Sequence, residues 1–207
     1  MDLRSLVRRL LGGSSTRPWI LVAVGDPGVQ NLERRRALGR QMVVRWGLQF
    51  QDTPHVDHLD HGLLYHPFPD LWVFLPSVSS ARLGEACLAL LDGTEDPSKL
   101  VLVASDGRLS LGEGRLRLSG DLDHPGVQAV GKAFRTSRLA RLVLGIGPVR
   151  PPVQAYRNER WPAGEWERVM DLDAPFERFI RSLRGSEDLA SLATQVNVPG
   201  FWAASEP

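Results

Sequence analysis

Three uninterrupted apolar runs, "WILVAV" (19–24), "LWVFL" (71–75) and "LVLVA" (100–104), constrain this chain more than any other feature. A strand with one wet face alternates apolar and polar residues; a run without alternation has both faces covered. Helical spacing fills the intervals. After Gly28 a helix carries Leu38, Met42 and Trp46 inward, and "ARLGEACLALL" (81–91) forms another. From Gly164 onward Trp166, Val169, Met170, Phe176, Phe179, Ile180 and Leu183 recur at the period of a core-facing helical stripe. "RLVLGI" (141–146) adds a strand ending at Gly147, and "RLRLS" (115–119) alternates as an edge or half-exposed strand does. Strands between helices imply a sheet covered on both sides.

The 207 residues, 43% of them hydrophobic, suit one domain with terminal extensions. Residues 1–17 form a basic extension, 18–185 the domain and 186–207 a tail. Phe201 and Trp202 in that tail are expected to pack back on the body. The single cysteine, Cys87, excludes an intramolecular disulfide and fits a reducing compartment. No apolar run is long enough to span a bilayer, so the chain reads as soluble, without a membrane partner. "MDLRSLVRRLLGGSSTR" is Arg-rich and acid-poor, with leucines for one helical face; mitochondrial targeting and an ordinary amphipathic helix in a cytoplasmic protein both fit it.

Net charge is only +1, but its distribution is uneven. Residues 1–50 hold nine Arg against Asp2, Asp26 and Glu33, while residues 161–207 hold eight acids against four Arg. A basic face able to meet phosphate follows. Arginine outnumbers lysine 23 to 2, which fits either guanidinium–phosphate recognition or a coding bias.

A strand closed by Gly25-Asp26-Pro27-Gly28 and a helix, then "VLVASD" (101–106), "RLRLSG" (115–120), "HPG" (124–126) and "RLVLGIG" (141–147), occur in that order. This succession resembles the bacterial-type peptidyl-tRNA hydrolase family over about residues 18–185. The resemblance implies one α/β domain with a mixed, mostly parallel twisted sheet and helices on both faces. It implies hydrolysis of the ester joining peptide to tRNA, with no cofactor or metal.

In that family the first turn reads Gly-Asn-Pro-Gly, an aromatic, then Thr-Arg-His-Asn-x-Gly, the His being the catalytic base. The matching positions here are Asp26 for Asn, Asn31 for the aromatic, Arg34 for Thr, Arg35 for Arg, Arg36 for His, Ala37 for Asn and Gly39 for Gly. A guanidinium stays protonated and only donates, so Arg36 does not replace imidazole as a proton acceptor. Former substrate-binding positions are likewise altered. Asp26 replaces an amide with a carboxylate, Ala37 and Ala81 stand for Asn, and Pro125 stands for the Asn of His-Asn-Gly. The retained catalytic positions are Asp106, matching the base-orienting Asp, and His124. Were Arg36 to fill the cleft and pair with Asp106, an internal ion pair would have replaced the dyad.

Arg115 and Arg117 match basic residues that the family turns toward the tRNA backbone, and their spacing points both to one sheet face. A third basic position falls at Val143, beside Arg141. With Arg34, Arg35, Arg36 and Arg40 these residues make the candidate RNA-binding set. "HVDHLDH" (55–61) offers metal-ligand types, but a solvated helical turn or loop explains it and no metal site is expected; active-site duty for a Glu113–Asp106 carboxylate pair is not expected either. The leading expectation is a catalytically impaired relative that binds tRNA or other structured RNA, in association with ribosomal or RNA-processing proteins. An active hydrolase with a rearranged site and a structural docking subunit without RNA contact are the alternatives.

Overall fold

The computed structural model describes residues 17–50, 56–91, 96–121 and 124–203. The strands are β1 (Trp19–Ala23), β2 (Val56–Leu59), β3 (Gly62–Phe68), β4 (Leu71–Pro76), β5 (Leu100–Asp106), β6 (Gly114–Arg117) and β7 (Ala140–Gly145). The helices are α1 (Val29–Leu32), α2 (Leu38–Gly47), α3 (Leu83–Leu90), α4 (Pro125–Ala133), α5 (Val153–Asn158), α6 (Ala163–Met170), α7 (Asp173–Arg184) and α8 (Leu189–Val196). Short 3-10 turns precede α2 (Arg35–Ala37) and α3 (Ser80–Arg82).

The sheet runs β2-β3-β4-β1-β5-β7-β6. Its centre, β4-β1-β5-β7, is parallel; β2, β3 and β6 join it antiparallel. This is the mixed, mostly parallel α/β domain expected from the sequence. The apolar runs are buried on both faces. In β1, Trp19, Leu21 and Ala23 enter a core roofed by α2, α6, α7 and α8, whereas Ile20 and Val22 enter a second core roofed by α3 and α4. Two glycines set the helix distances. A Cβ on Gly39 would stand 2.3 Å from the Val103 carbonyl, and one on Gly84 would stand 2.3 Å from the Ala129 carbonyl, so α2 reaches the sheet and α3 reaches α4 only without side chains there.

The "RLRLS" segment forms the edge strand β6, with Leu116 buried and Arg115 exposed. Its outer side is closed by Asn197, just beyond α8. The amide Oδ1 accepts from the Leu116 N–H (2.8 Å) and Nδ2 donates to the Leu116 carbonyl (2.9 Å). The tail packs back as expected: Trp202 is buried against Phe179, its indole N–H donates to the Val196 carbonyl (2.9 Å), and its ring fills the space over Gly114.

The histidine-rich segment corrects the sequence reading. Residues 56–59 are strand β2 and 60–61 its turn, where a helical turn or loop was expected. Pairing with β3 brings the Asp57 carboxylate to the His66 imidazole (2.6 Å). His55 and residues 1–16 lie outside the described residues. Among the described residues no three potential metal ligands gather, and no helix is long and apolar enough to cross a membrane.

Candidate functional site

Chain order places β1 between β4 and β5, so the connections leaving the carboxyl ends of these strands diverge to opposite sides and leave a crevice, the usual ligand position in open α/β sheets. Polar side chains from several of these segments gather in that crevice. Gly25 and Asp26 follow β1, Ser80 follows β4, Ser105 to Gly107 end β5, Ile146 follows β7, and His124 and Pro125 begin α4. Arg36 enters from the 3-10 turn, and Gln154 and Arg157 from α5. The enclosed volume is about 160 Å³.

The three consecutive arginines diverge. Arg34 is half-buried and donates to the Asn158 carbonyl (2.9 Å). Arg35 is 2% exposed: it pairs with Glu165 and, at 3.6 Å, Glu159, donates to Tyr156 Oη (3.2 Å), and lies over the rings of Tyr156 and Trp161 at 4.4 and 4.8 Å. Arg36 enters the cleft, 3.4 Å from Asp26 Oδ2 and 3.2 Å from Asn31 Oδ1. Its ion-pair partner is Asp26, not Asp106.

Asp106 is almost fully enclosed and its acceptor sites are filled. The Arg108 guanidinium binds both oxygens (3.1 Å each), the Arg108 N–H donates to Oδ1 (2.9 Å), and Arg117 reaches Oδ2 (3.1 Å). Burial raises this carboxyl's pKa, but the Arg108 hydrogen bonds and the Arg108 and Arg117 charges outweigh it and hold the group below the usual carboxylate range. Asp26 behaves similarly: burial is overcome by the Ser80 N–H (2.9 Å), the Ser80 side chain and the Arg36 charge.

His124 is the N-cap of α4, its Nδ1 accepting from the Gly126 N–H (3.1 Å). With Nδ1 accepting from Gly126, the neutral ring carries its proton on Nε2, so its one lone pair is engaged and none is left to accept a proton from water. Burial pushes the imidazole down to about 4; the nearby Arg36 backbone opposes this, while the Arg157 and Arg36 charges reinforce it. The helix N-terminus at this position also disfavours a cation.

Asp26, Arg36, Asp106, His124 and Pro125 thus meet in one cleft, as the sequence reading grouped them. Ala37 is buried behind the cleft, and Ala81 is exposed beside its Ser80 wall. The candidate RNA-binding set is partly corrected. Arg35 (2% exposed), Arg40 (9%) and Arg141 (2%) do not present to a ligand. Arg40 donates to the Pro76 carbonyl (2.9 Å), and Arg141 caps the carbonyls of residues 119–121. In each case packing delivers a carbonyl or carboxylate to the guanidinium, which removes the penalty of burying it. Arg115 remains exposed, and among the described residues it makes no ion pair. Glu113 does not join Asp106; it accepts from the Ser110 N–H (3.3 Å). Sequence reasoning missed Gln154 and Arg157, which reach the cleft from a short helix about 120 residues beyond the first turn, and Arg108, which follows Asp106 by two residues.

No family model matches the chain. It is 30% identical over 140 residues to a peptidyl-tRNA hydrolase of a Synechococcus species (strain JA-3-3Ab), covering 62% of this chain and 59% of that one. Identity to the Synechococcus elongatus enzyme of that name is 27% over 140 residues, covering 64% and 67%. The Bifidobacterium adolescentis enzyme is 22% identical over 155 residues, covering 70% and 78%. Among solved structures, the peptidyl-tRNA hydrolase of Acinetobacter baumannii superposes with a TM-score of 0.65 at 18% identity, covering 92% of this chain and 95% of that one. A peptidyl-tRNA hydrolase complexed with N-propanol also gives 0.65, at 17% identity. These structural likenesses show the fold.

Proposed function

This chain being a relative of the peptidyl-tRNA hydrolases, we propose that it binds tRNA or another structured RNA while hydrolysing the peptide–tRNA ester slowly or not at all. One observation carries this reading: Arg36 occupies the cleft at the position where the resemblance puts the catalytic base. Ester hydrolysis at neutral pH needs a group that takes a proton from the attacking water. A guanidinium has none to accept with. The remaining candidates are also engaged, since Asp106 is held by Arg108 and Arg117, and the lone pair of His124 accepts from the Gly126 N–H. Loss of general-base catalysis costs about 10²- to 10⁴-fold in rate.

Exposed cations support the binding half of the proposal. Arg115 projects from β6 beside Arg117, and Arg108 is half-exposed at the cleft end of β5. The test has two arms. Purified chain and the Synechococcus elongatus enzyme are assayed on the same peptidyl-tRNA; a rate at least 100-fold lower is expected, and a rate within tenfold overturns the impairment. Binding of deacylated tRNA is then measured against salt. Arg115→Glu should weaken it and lower the log–log salt slope by about one. Absence of tRNA binding by the unmodified chain overturns the RNA reading.

A further inference from the structure

The exposed arginines Arg82, Arg160 and Arg181 each meet an acid, in Glu85, Glu33 and Glu177. Lys132, Arg135 and Arg138 do not. They stand within seven residues, in the last turn of α4 and the turn beyond it, all exposed, and among the described residues none makes an ion pair. The sequence around them supplies no acid: between His124 and Asn158 there is neither Asp nor Glu. Arg135 is also held there against its backbone preference. Among the described residues it alone combines a side chain with a positive φ (50°). Its N–H donates to the Lys132 carbonyl (3.3 Å) and the Thr136 N–H to the Gly131 carbonyl (2.9 Å), the pattern of a helix end at which glycine is commonest because it has no Cβ to crowd the backbone. An arginine here forgoes stability that glycine would supply, and strain of that kind gathers at functional positions.

The helix that carries these cations lies on the sheet face toward which Arg115 and Arg117 turn. Leu116 enters the core roofed by α2, α6, α7 and α8, so alternation turns its two neighbours to the opposite face, which α3 and α4 cover. The first residues of α4 border the cleft, and its nine residues, at 1.5 Å each, lead about 14 Å from there to the cations. We propose that Lys132, Arg135 and Arg138 form a phosphate-binding wall for RNA, continuing the surface that begins at Arg115 and Arg117. The inference rests on the RNA reading above and adds a contact region to it. Neighbouring cations with no acid among them suit a polymer that carries a negative charge on every nucleotide. Guanidinium groups supply the paired donors that phosphate oxygens accept. Cations in a last turn also complement the helix macrodipole, and the experiment separates the two roles.

Binding of deacylated tRNA to the full chain is measured against salt, with thermal midpoints recorded alongside. Lys132→Gln/Arg135→Gly/Arg138→Gln should weaken binding at least tenfold and lower the log–log salt slope by about two. Arg181→Gln, on α7 across the sheet, should change neither. Arg135→Gly alone should weaken binding and raise the thermal midpoint, because it removes a charge and left-handed strain together. A lowered midpoint with unchanged tRNA binding would assign Arg135 to the helix end and overturn the proposal. A triple variant that binds tRNA as the unmodified chain does would remove the wall and leave the RNA reading standing. If the unmodified chain binds no tRNA, the RNA reading falls and the wall with it. Phosphatidylglycerol vesicles bound by the unmodified chain and not by the triple variant, with tRNA binding unaffected, would give the wall to a membrane surface and likewise overturn the proposal.

Discussion

Arg35 and Arg36 are adjacent in sequence and opposite in circumstance. Arg35 is enclosed by Tyr156, Trp161, Glu159 and Glu165, and ties the turn before α2 to the α5–α6 segment. Arg36 is about one-third exposed in the cleft, with one carboxylate at 3.4 Å. The contrast teaches that charge on a chain has no fixed meaning. A guanidinium given aromatic faces and two acids is a structural tie, whereas one left beside a cavity is available to a ligand. The two regions are joined, because α5 carries Tyr156 toward Arg35 and Arg157 toward the cleft.

The largest effect that can break this comparison is on the tie. Arg35→Ala leaves Glu165 without its cation and removes the stacked group, and should cost about 3 kcal/mol. For a domain of this size the thermal midpoint should drop by roughly 6–12 °C; a drop under 2 °C would show that the buried arginine is no tie at all. Next comes acid sensitivity at the cleft. The folded His124 titrates at about 4 against 6.5 for the free side chain, so between these values the unfolded chain binds the extra proton. Stability is therefore fully present above about pH 6.5 and falls as pH drops toward 4, by on the order of 3 kcal/mol at most. His124→Asn, which keeps an N-cap acceptor without a titrating ring, should flatten that limb in denaturant melts at pH 7, 5.5 and 4.5. An equally steep limb in the variant would assign the titration elsewhere.

A smaller effect is expected at the far edge of the sheet, where Asn197→Ala removes two hydrogen bonds to Leu116 and should cost about 1–2 kcal/mol by urea unfolding. The smallest sharpens the contrast most. Arg157→Gln, made in the same helix as Tyr156, should alter stability by no more than about 0.5 kcal/mol. If it were as destabilising as Arg35→Ala, the cleft arginine would itself be structural.

The central strands were legible because a parallel strand covered on both faces leaves an unbroken apolar run; residues 19–23, 71–75 and 100–104 lie on β1, β4 and β5. The β2–β3 hairpin was not, since its strands are half-exposed and carry His58, Asp57 and His66 among apolar residues. In the cleft, residues at strand ends and in the first turn could be located from order along the chain. Arg157 could not, because its approach depends on how residues 147–152 return across the β7 end of the sheet. The inward course of Arg35 had a signal that went unread: Tyr156, Glu159, Trp161 and Glu165 place two aromatic rings and two acids within ten residues, the surroundings a buried guanidinium requires.

Asn197 has a consequence beyond stability. A sheet margin with unsatisfied main-chain groups is a template on which another polypeptide can zip, and β6 is such a margin. One amide, contributed from eighty residues downstream, occupies both groups of Leu116 and interrupts the template at mid-strand. Without that side chain, both groups of Leu116 would stand open to pairing with a second chain.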